Sequence, residues 1–202
     1  MPRRARAPLP LATAGLVAVI LATYAVERAG DGLGLCGANG LVPARPSALA
    51  ALTSMFLHDP STWAHVGGNA VSLAVAGAAV ERLLGPLKLL ALFLVAGVVG
   101  ALTHVLVDPS STAPLVGASG GICGLFAALA LLRPSAVGFV GSFVAFNIAS
   151  LLLGTGGSVS MGGHVGGFVA GTAMMATVFA GRLASVRGWR RAPRVARAAA
   201  AG

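Results

Sequence analysis

Hydrophobic positions run in long unbroken stretches along this chain, and charged positions only punctuate them. No charged residue falls between Arg6 and Glu27, Asp59 and Glu81, Lys88 and Asp108, or Asp108 and Arg133. Each gap accommodates one helix of roughly 20 residues, the length that crosses a hydrocarbon core ~30 Å thick. A fifth gap, from Arg133 to Arg182, is more than twice as long, and the turn-rich stretch Gly154-Thr155-Gly156-Gly157-Ser158 divides it. The pattern predicts six helices over about residues 9–26, 65–84, 88–107, 117–132, 137–153 and 161–181. The expected fold class is an all-α membrane protein, a bundle of six transmembrane helices.

Composition agrees. Of 202 residues, 56% are hydrophobic and 9% charged, where a soluble domain carries about 25% charged residues to face water. The solvent of this chain is mostly lipid. A disordered chain, a disulfide-stapled module and an ordinary nucleic-acid binder are all excluded on these grounds. The net charge of +9 matters through position rather than sum. Twelve of the 14 basic residues fall before the first span, in the second and fourth inter-helix links, or after the sixth span. Only Arg28 and Arg45 fall on the other side. The excess of Lys and Arg marks the cytoplasmic face, so both termini are expected there. Residues 1–8 form a basic N-terminus, 9–181 the membrane domain, and 182–202 a basic tail that rests on the anionic leaflet. The first segment reads as a retained span rather than a signal peptide, because its apolar run continues to Val26. Cys36 in the first external loop and Cys123 inside the fourth span are not expected to bridge.

Polar side chains inside apolar spans are functional candidates by default. Three clusters occur. The second span opens His65-Val66-Gly67-Gly68-Asn69, the fourth Gly117-Ala118-Ser119-Gly120-Gly121, and the sixth Ser160-Met161-Gly162-Gly163-His164. By the topology above all three lie near the external ends of their helices. His65 and Asn69 are one turn apart and share a helix face. Gly163, Gly167 and Gly171 form a small-residue stripe suited to close helix contact, and Gly120 and Gly124 give the fourth span a matching face. If those stripes meet, His164 lies against Ser119. A serine beside an imidazole is a minimal activated nucleophile. Asn69, His65 and the Ser119 backbone N–H would then hold an oxyanion.

Structural readings compete with this. A lone membrane serine ordinarily returns a hydrogen bond to its own backbone. His58 and His104 read as loop-end or interfacial groups, and Glu81 and Arg82 as anchors of the cytosolic end of the second helix. No carboxylate is placed to complete a triad, and His58, His65 and His164 lack metal-ligand spacing. The structural readings leave unexplained why Asn69, His65, His164 and Ser119 share one depth.

In this order, on these helices, the motifs resemble the rhomboid family of intramembrane serine proteases in its bacterial six-helix form. The resemblance rests on His58…His65-xxx-Asn69, Gly77-Ala-Ala-Val-Glu81-Arg-Leu-Leu-Gly85, Gly117-Ala-Ser119-Gly120 and Gly163-His164-xx-Gly167-xxx-Gly171. It implies a Ser119–His164 dyad in a cavity below the external surface, with His65 and Asn69 in the oxyanion hole and Glu81 structural. It implies a fifth helix that moves to admit a substrate helix from lipid. The implied substrates are single-span membrane proteins cut near the external end of their helix, in a bacterial plasma membrane, without a cofactor. Departures are visible. A Trp-Arg pair often found in the first external loop is absent before Thr53, Asp59-Pro60-Ser61 lengthens the link to His65, and an aromatic often found four residues after the nucleophile is here Cys123. A catalytically inactive relative that only binds client helices is the alternative. A channel is a further one, but it would carry polar residues through the whole depth of the spans.

Overall fold

The computed structural model describes residues 9–152 and 160–191. The chain folds as helices α1 (Leu11–Ala29), α2 (Gly32–Asn39), α3 (Ala48–Thr53), α4 (Trp63–Leu84), α5 (Pro86–Val107), α6 (Ser119–Leu132), α7 (Val137–Leu152) and α8 (Met161–Arg191). No strand occurs among the described residues beyond one isolated antiparallel bridge, Leu41 to Leu115. Among the described residues, a helix falls within each of the six expected segments. The glycine-rich break at 154–158 lies outside the described residues, as do Arg3, Arg4, Arg6, Arg194 and Arg197. By length and composition, α1, α4 and α5 are each apolar enough to cross a membrane. Large apolar side chains such as Val71, Leu102, Leu106 and Val169 face outward, as lipid-facing positions do.

Most boundaries differ from expectation by two or three residues: α1 covers 11–29 rather than 9–26, and α4 and α5 each start two residues early. Helix α6 starts at Ser119 rather than 117, because Gly117 has φ +123°, outside the helical region. Helix α8 runs ten residues past the expected end at 181, since Arg, Ala and Leu in that stretch are good helix formers. The loop between α1 and α4 also holds the short helices α2 and α3. Their capping residues are Asp31, which accepts from the Gly34 N–H, and Ser47, which accepts from the Ala50 N–H.

At one end of the bundle, Glu81 near the end of α4 caps the start of α1. Its carboxylate accepts from Ala12 N–H at 3.0 Å, Thr13 N–H at 2.8 Å and Thr13 Oγ1 at 2.7 Å. Backbone donors at a helix start have no partner within the helix, and in lipid they have no water either. Glu81 supplies that partner and pins α1 to α4. The core they share with α5 and α6 is apolar, built on Ile20, Leu73, Val80, Leu89, Phe93 and Phe126.

Helix α8 packs on α5 and α6 through glycine. A Cβ on Gly167 would run into the Gly120 carbonyl, and one on Gly171 would sit 2.6 Å from the Gly124 Cα. A Cβ on Gly100 of α5 would likewise meet the Gly163 carbonyl. The two small-residue stripes therefore do meet, backbone against backbone. Replacing Gly167 by Ala should cost about 1–3 kcal/mol through overpacking, a drop of several degrees in the unfolding midpoint for a chain of this size. Gly15, which has open space at its Cβ position, serves as the control: Gly15→Ala should leave the midpoint unchanged or raise it. Thermal unfolding of both variants in detergent micelles checks this, and equal midpoints would contradict the packing described.

Candidate active site

Ser119 is the first residue of α6. The first backbone bond of that helix runs from Ile122 N–H to the Ala118 carbonyl at 3.1 Å. The N–H groups of Ser119, Gly120 and Gly121 precede it and have no partner within the helix. The segment leading to Ser119 is fastened to the loop between α1 and α4. Leu41 and Leu115 exchange hydrogen bonds at 3.1 and 2.8 Å, Ala44 N–H donates to Ser111 at 2.9 Å, and Gly117 N–H donates to the Ser54 carbonyl at 2.9 Å. With no Trp-Arg pair, this loop is held by backbone pairing and by Thr53 Oγ1, which donates to the Asn39 carbonyl at 2.6 Å.

His65 and Asn69, on one face of α4, converge on Gly117. A Cβ there would sit 2.7 Å from His65 Nε2 and 3.6 Å from Asn69 Nδ2. Glycine is thus required at 117 twice over, by φ and by space. Asn69 is buried, and its Nδ2 lies 3.0 Å from His58 Nε2. An amide nitrogen only donates, so His58 Nε2 accepts and the ring is neutral. His58 also packs edge-on against His65, with ring centroids 5.1 Å apart.

Behind His58 stands a carboxylate. Glu27, at the end of α1, is 1% exposed and accepts the His58 backbone N–H at 3.0 Å. Cys36 Sγ donates to the His58 carbonyl at 3.4 Å. Burial pushes the Cys36 thiol up to about 11, helped by the Glu27 and Asp59 charges, so it stays a protonated structural donor. The lengthened link is tied down as well: Arg28 Nη1 donates to the Pro60 carbonyl at 2.7 Å.

His164 sits one turn into α8. Ser160 caps that helix, its Oγ accepting Gly163 N–H at 2.9 Å while lying 2.8 Å from His104 Nδ1. Ser119 and His164 line one cavity of about 20 Å³ together with Gly117, Gly120, Ser160 and Gly163. That is room for about one water molecule. No hydrogen bond joins Ser119 to His164 among the described residues, and His164 Nδ1 is buried without a partner. Such contacts are often long before substrate binds. His164 also borders a second, larger and apolar cavity of about 340 Å³ between α6, α7 and α8, lined by Cys123, Phe126, Phe143 and Phe168. Cys123 is a buried free thiol.

All four candidates, Ser119, His164, His65 and Asn69, thus gather at one end of the bundle. Sequence reasoning missed Glu27 as a buried partner, His58 as the acceptor for Asn69, and the His104–Ser160 contact. The spacing of His58 and Asn69, eleven residues across a turn, carries no periodic signal. Glu27 looked like an ordinary charged helix end.

A helical membrane bundle with serine, histidine and asparagine gathered under the loop between α1 and α4 defines a distinct class of membrane protein. The family model for the rhomboid domain matches residues 45–181, and the chain belongs to the rhomboid family. Over 126 residues it is 33% identical to the rhomboid protease GluP of Bacillus subtilis (strain 168). That match covers 59% of this chain and 24% of the relative, so the likeness spans about a quarter of that protein's length.

The loop histidine gives a pH prediction. Burial, and secondarily the neighbouring His65, push the His58 ring down to about 3, whereas an unfolded chain titrates histidine near ~6.5. Between those values the unfolded chain binds a proton that the folded chain refuses, so stability falls as pH drops below about 6.5. Unfolding midpoints measured from pH 7.5 to 4.5 should decline, and less steeply in His58→Gln, which keeps an acceptor for Asn69. Identical slopes would remove His58 from this role.

Proposed function

We propose that the chain is an intramembrane serine protease that cuts membrane-protein substrates with a Ser119–His164 dyad. The observation that carries this is the shared cavity: a serine at a helix start and a histidine on a neighbouring helix, with His65 and Asn69 against the glycine two residues before the serine. Family membership and the named protease relative support the reaction class.

In the proposed reaction the His164 imidazole takes the Ser119 Oγ proton as Oγ attacks the substrate carbonyl. The oxyanion that forms accepts from the Ser119 N–H, Asn69 Nδ2 and His65. Imidazolium then returns its proton to the leaving amine, and the peptide C–N bond breaks. Water deprotonated by His164 hydrolyses the acyl-enzyme and restores Ser119. A substrate helix hides its carbonyls in internal hydrogen bonds that lipid makes costly to break. Single-span substrates weakly helical near the external interface therefore fit the site. The six helices would all span the bacterial plasma membrane, residues 9–181 forming the membrane domain with both basic termini cytoplasmic. Helix α7 would move to admit substrate beside the apolar cavity.

Wild type in liposomes should cleave a fluorogenic single-span substrate and take a serine-reactive fluorophosphonate label, and Ser119→Ala should do neither. A folded wild type that does neither with several substrates would favour the alternative, a catalytically inactive family member that binds client helices. Asn69→Ala should lower kcat by roughly 10²–10³, the usual cost of losing one oxyanion donor. A near-normal kcat would take Asn69 out of the oxyanion hole.

A further inference from the structure

Among the described residues the buried Nδ1 of His164 has no hydrogen-bond partner, so no acceptor there fixes how the ring points. In a triad a carboxylate does that work. Here none of the described carboxylates touches the ring. What does touch it is aromatic: the Phe143 ring lies 6.2 Å from the His164 ring, centroid to centroid, inclined by 45°. That separation falls within the range of favourable ring pairs.

Phe143 is itself held. Its ring packs on Phe126 at 4.6 Å, and Phe139, one turn earlier, packs edge-on against the same Phe126 at 5.6 Å. Phe126 is 1% exposed and belongs to the core of α6. The sequence Phe126–Phe143–His164 is therefore a stack of three rings from three helices, beginning on the helix that carries Ser119 and ending on the one that carries the histidine. Position 123, one turn after Ser119, points a thiol into the same apolar cavity, so α6 offers no ring there.

We propose that Phe143 is the positioning residue for His164, fixing the imidazole plane from α7. The inference rests on the Ser119–His164 reading. It adds a consequence: the base is oriented from a helix whose described side chains are mostly exposed. Among the described side chains of α7, Val140 is buried, while Val137, Phe139, Val144, Ile148 and Leu152 are exposed. A displacement of α7 that opens the apolar cavity also withdraws the ring from His164. Base alignment and access from the α7 side are then one motion.

The test compares wild type with Phe143→Ala, Phe143→Leu, and Phe143→Ala combined with Cys123→Phe, each first shown to unfold cooperatively. Two rates are read: labelling of Ser119 by a small fluorophosphonate, which needs no lateral access, and kcat and KM for a single-span substrate. Loss of the ring should slow labelling and lower kcat by roughly three- to tenfold, the worth of one aromatic pair, with KM little changed. Phe143→Leu keeps apolar volume without a ring and should lose the same factor, even if Phe143→Ala fails to fold. The ring supplied from position 123 should restore most of both rates. Wild-type labelling in Phe143→Leu, or a change confined to KM, would overturn the proposal and leave Phe143 as a cavity wall. A wild type that neither labels nor cuts fails differently: it sinks the dyad reading itself, and this inference with it.

Discussion

The approach of α8 to α5 and α6 is the contact on which the rest depends. Lipid gives helices no hydrophobic reason to associate, so their contact must come from close packing. Glycine provides it: Gly167 on Gly120 and Gly171 on Gly124 let the backbones touch where any Cβ would intervene. Gly100 against Gly163 draws α8 onto α5 in the same way. The register of these contacts decides the chemistry. Ser119 lies immediately before Gly120 and His164 immediately after Gly163, so seating the glycines brings both side chains to the wall of one small cavity.

The two ends of the bundle solve the same difficulty by different means. Backbone groups at helix starts and in loops need partners wherever water is scarce. At one end a single carboxylate, Glu81, serves the first turn of α1. At the other a loop of two short helices pairs its backbone with the segment before Ser119 and buries Glu27 under His58. The candidate site is built into that second solution. Asn69 is oriented by His58, and His58 by the Glu27 carboxylate on its backbone N–H. Glu27 and Cys36 precede residue 45, where the family match begins, so part of the support for the site lies outside the matched region.

Histidine is treated differently on the two sides of the site. His58 is locked: fully buried, neutral, and accepting from Asn69. His164 Nδ1, in contrast, has no hydrogen-bond partner among the described residues, and the ring beside it is that of Phe143.

Much was legible in the residues themselves. Charge gaps located α1, α4, α5 and α6, and a glycine-rich stretch divided the last gap into α7 and α8, because lipid disfavours charge within a span and a span must be about 20 residues long. The glycine spacing in Gly163, Gly167 and Gly171 announced a close contact, and the polar residues at span ends named Ser119, His164, His65 and Asn69 as the candidates. Helix α6 began two residues late because a positive φ at Gly117 cannot be read from a one-letter code. What only the tertiary structure decided is which groups support those four. Glu27 meets His58 across 31 positions and Phe143 meets His164 across 21, distances at which no helical periodicity survives. Local sequence dictates what a helix can bury, whereas the partner of a buried polar group is chosen by the packing of other helices, and that choice exists only once the bundle has closed.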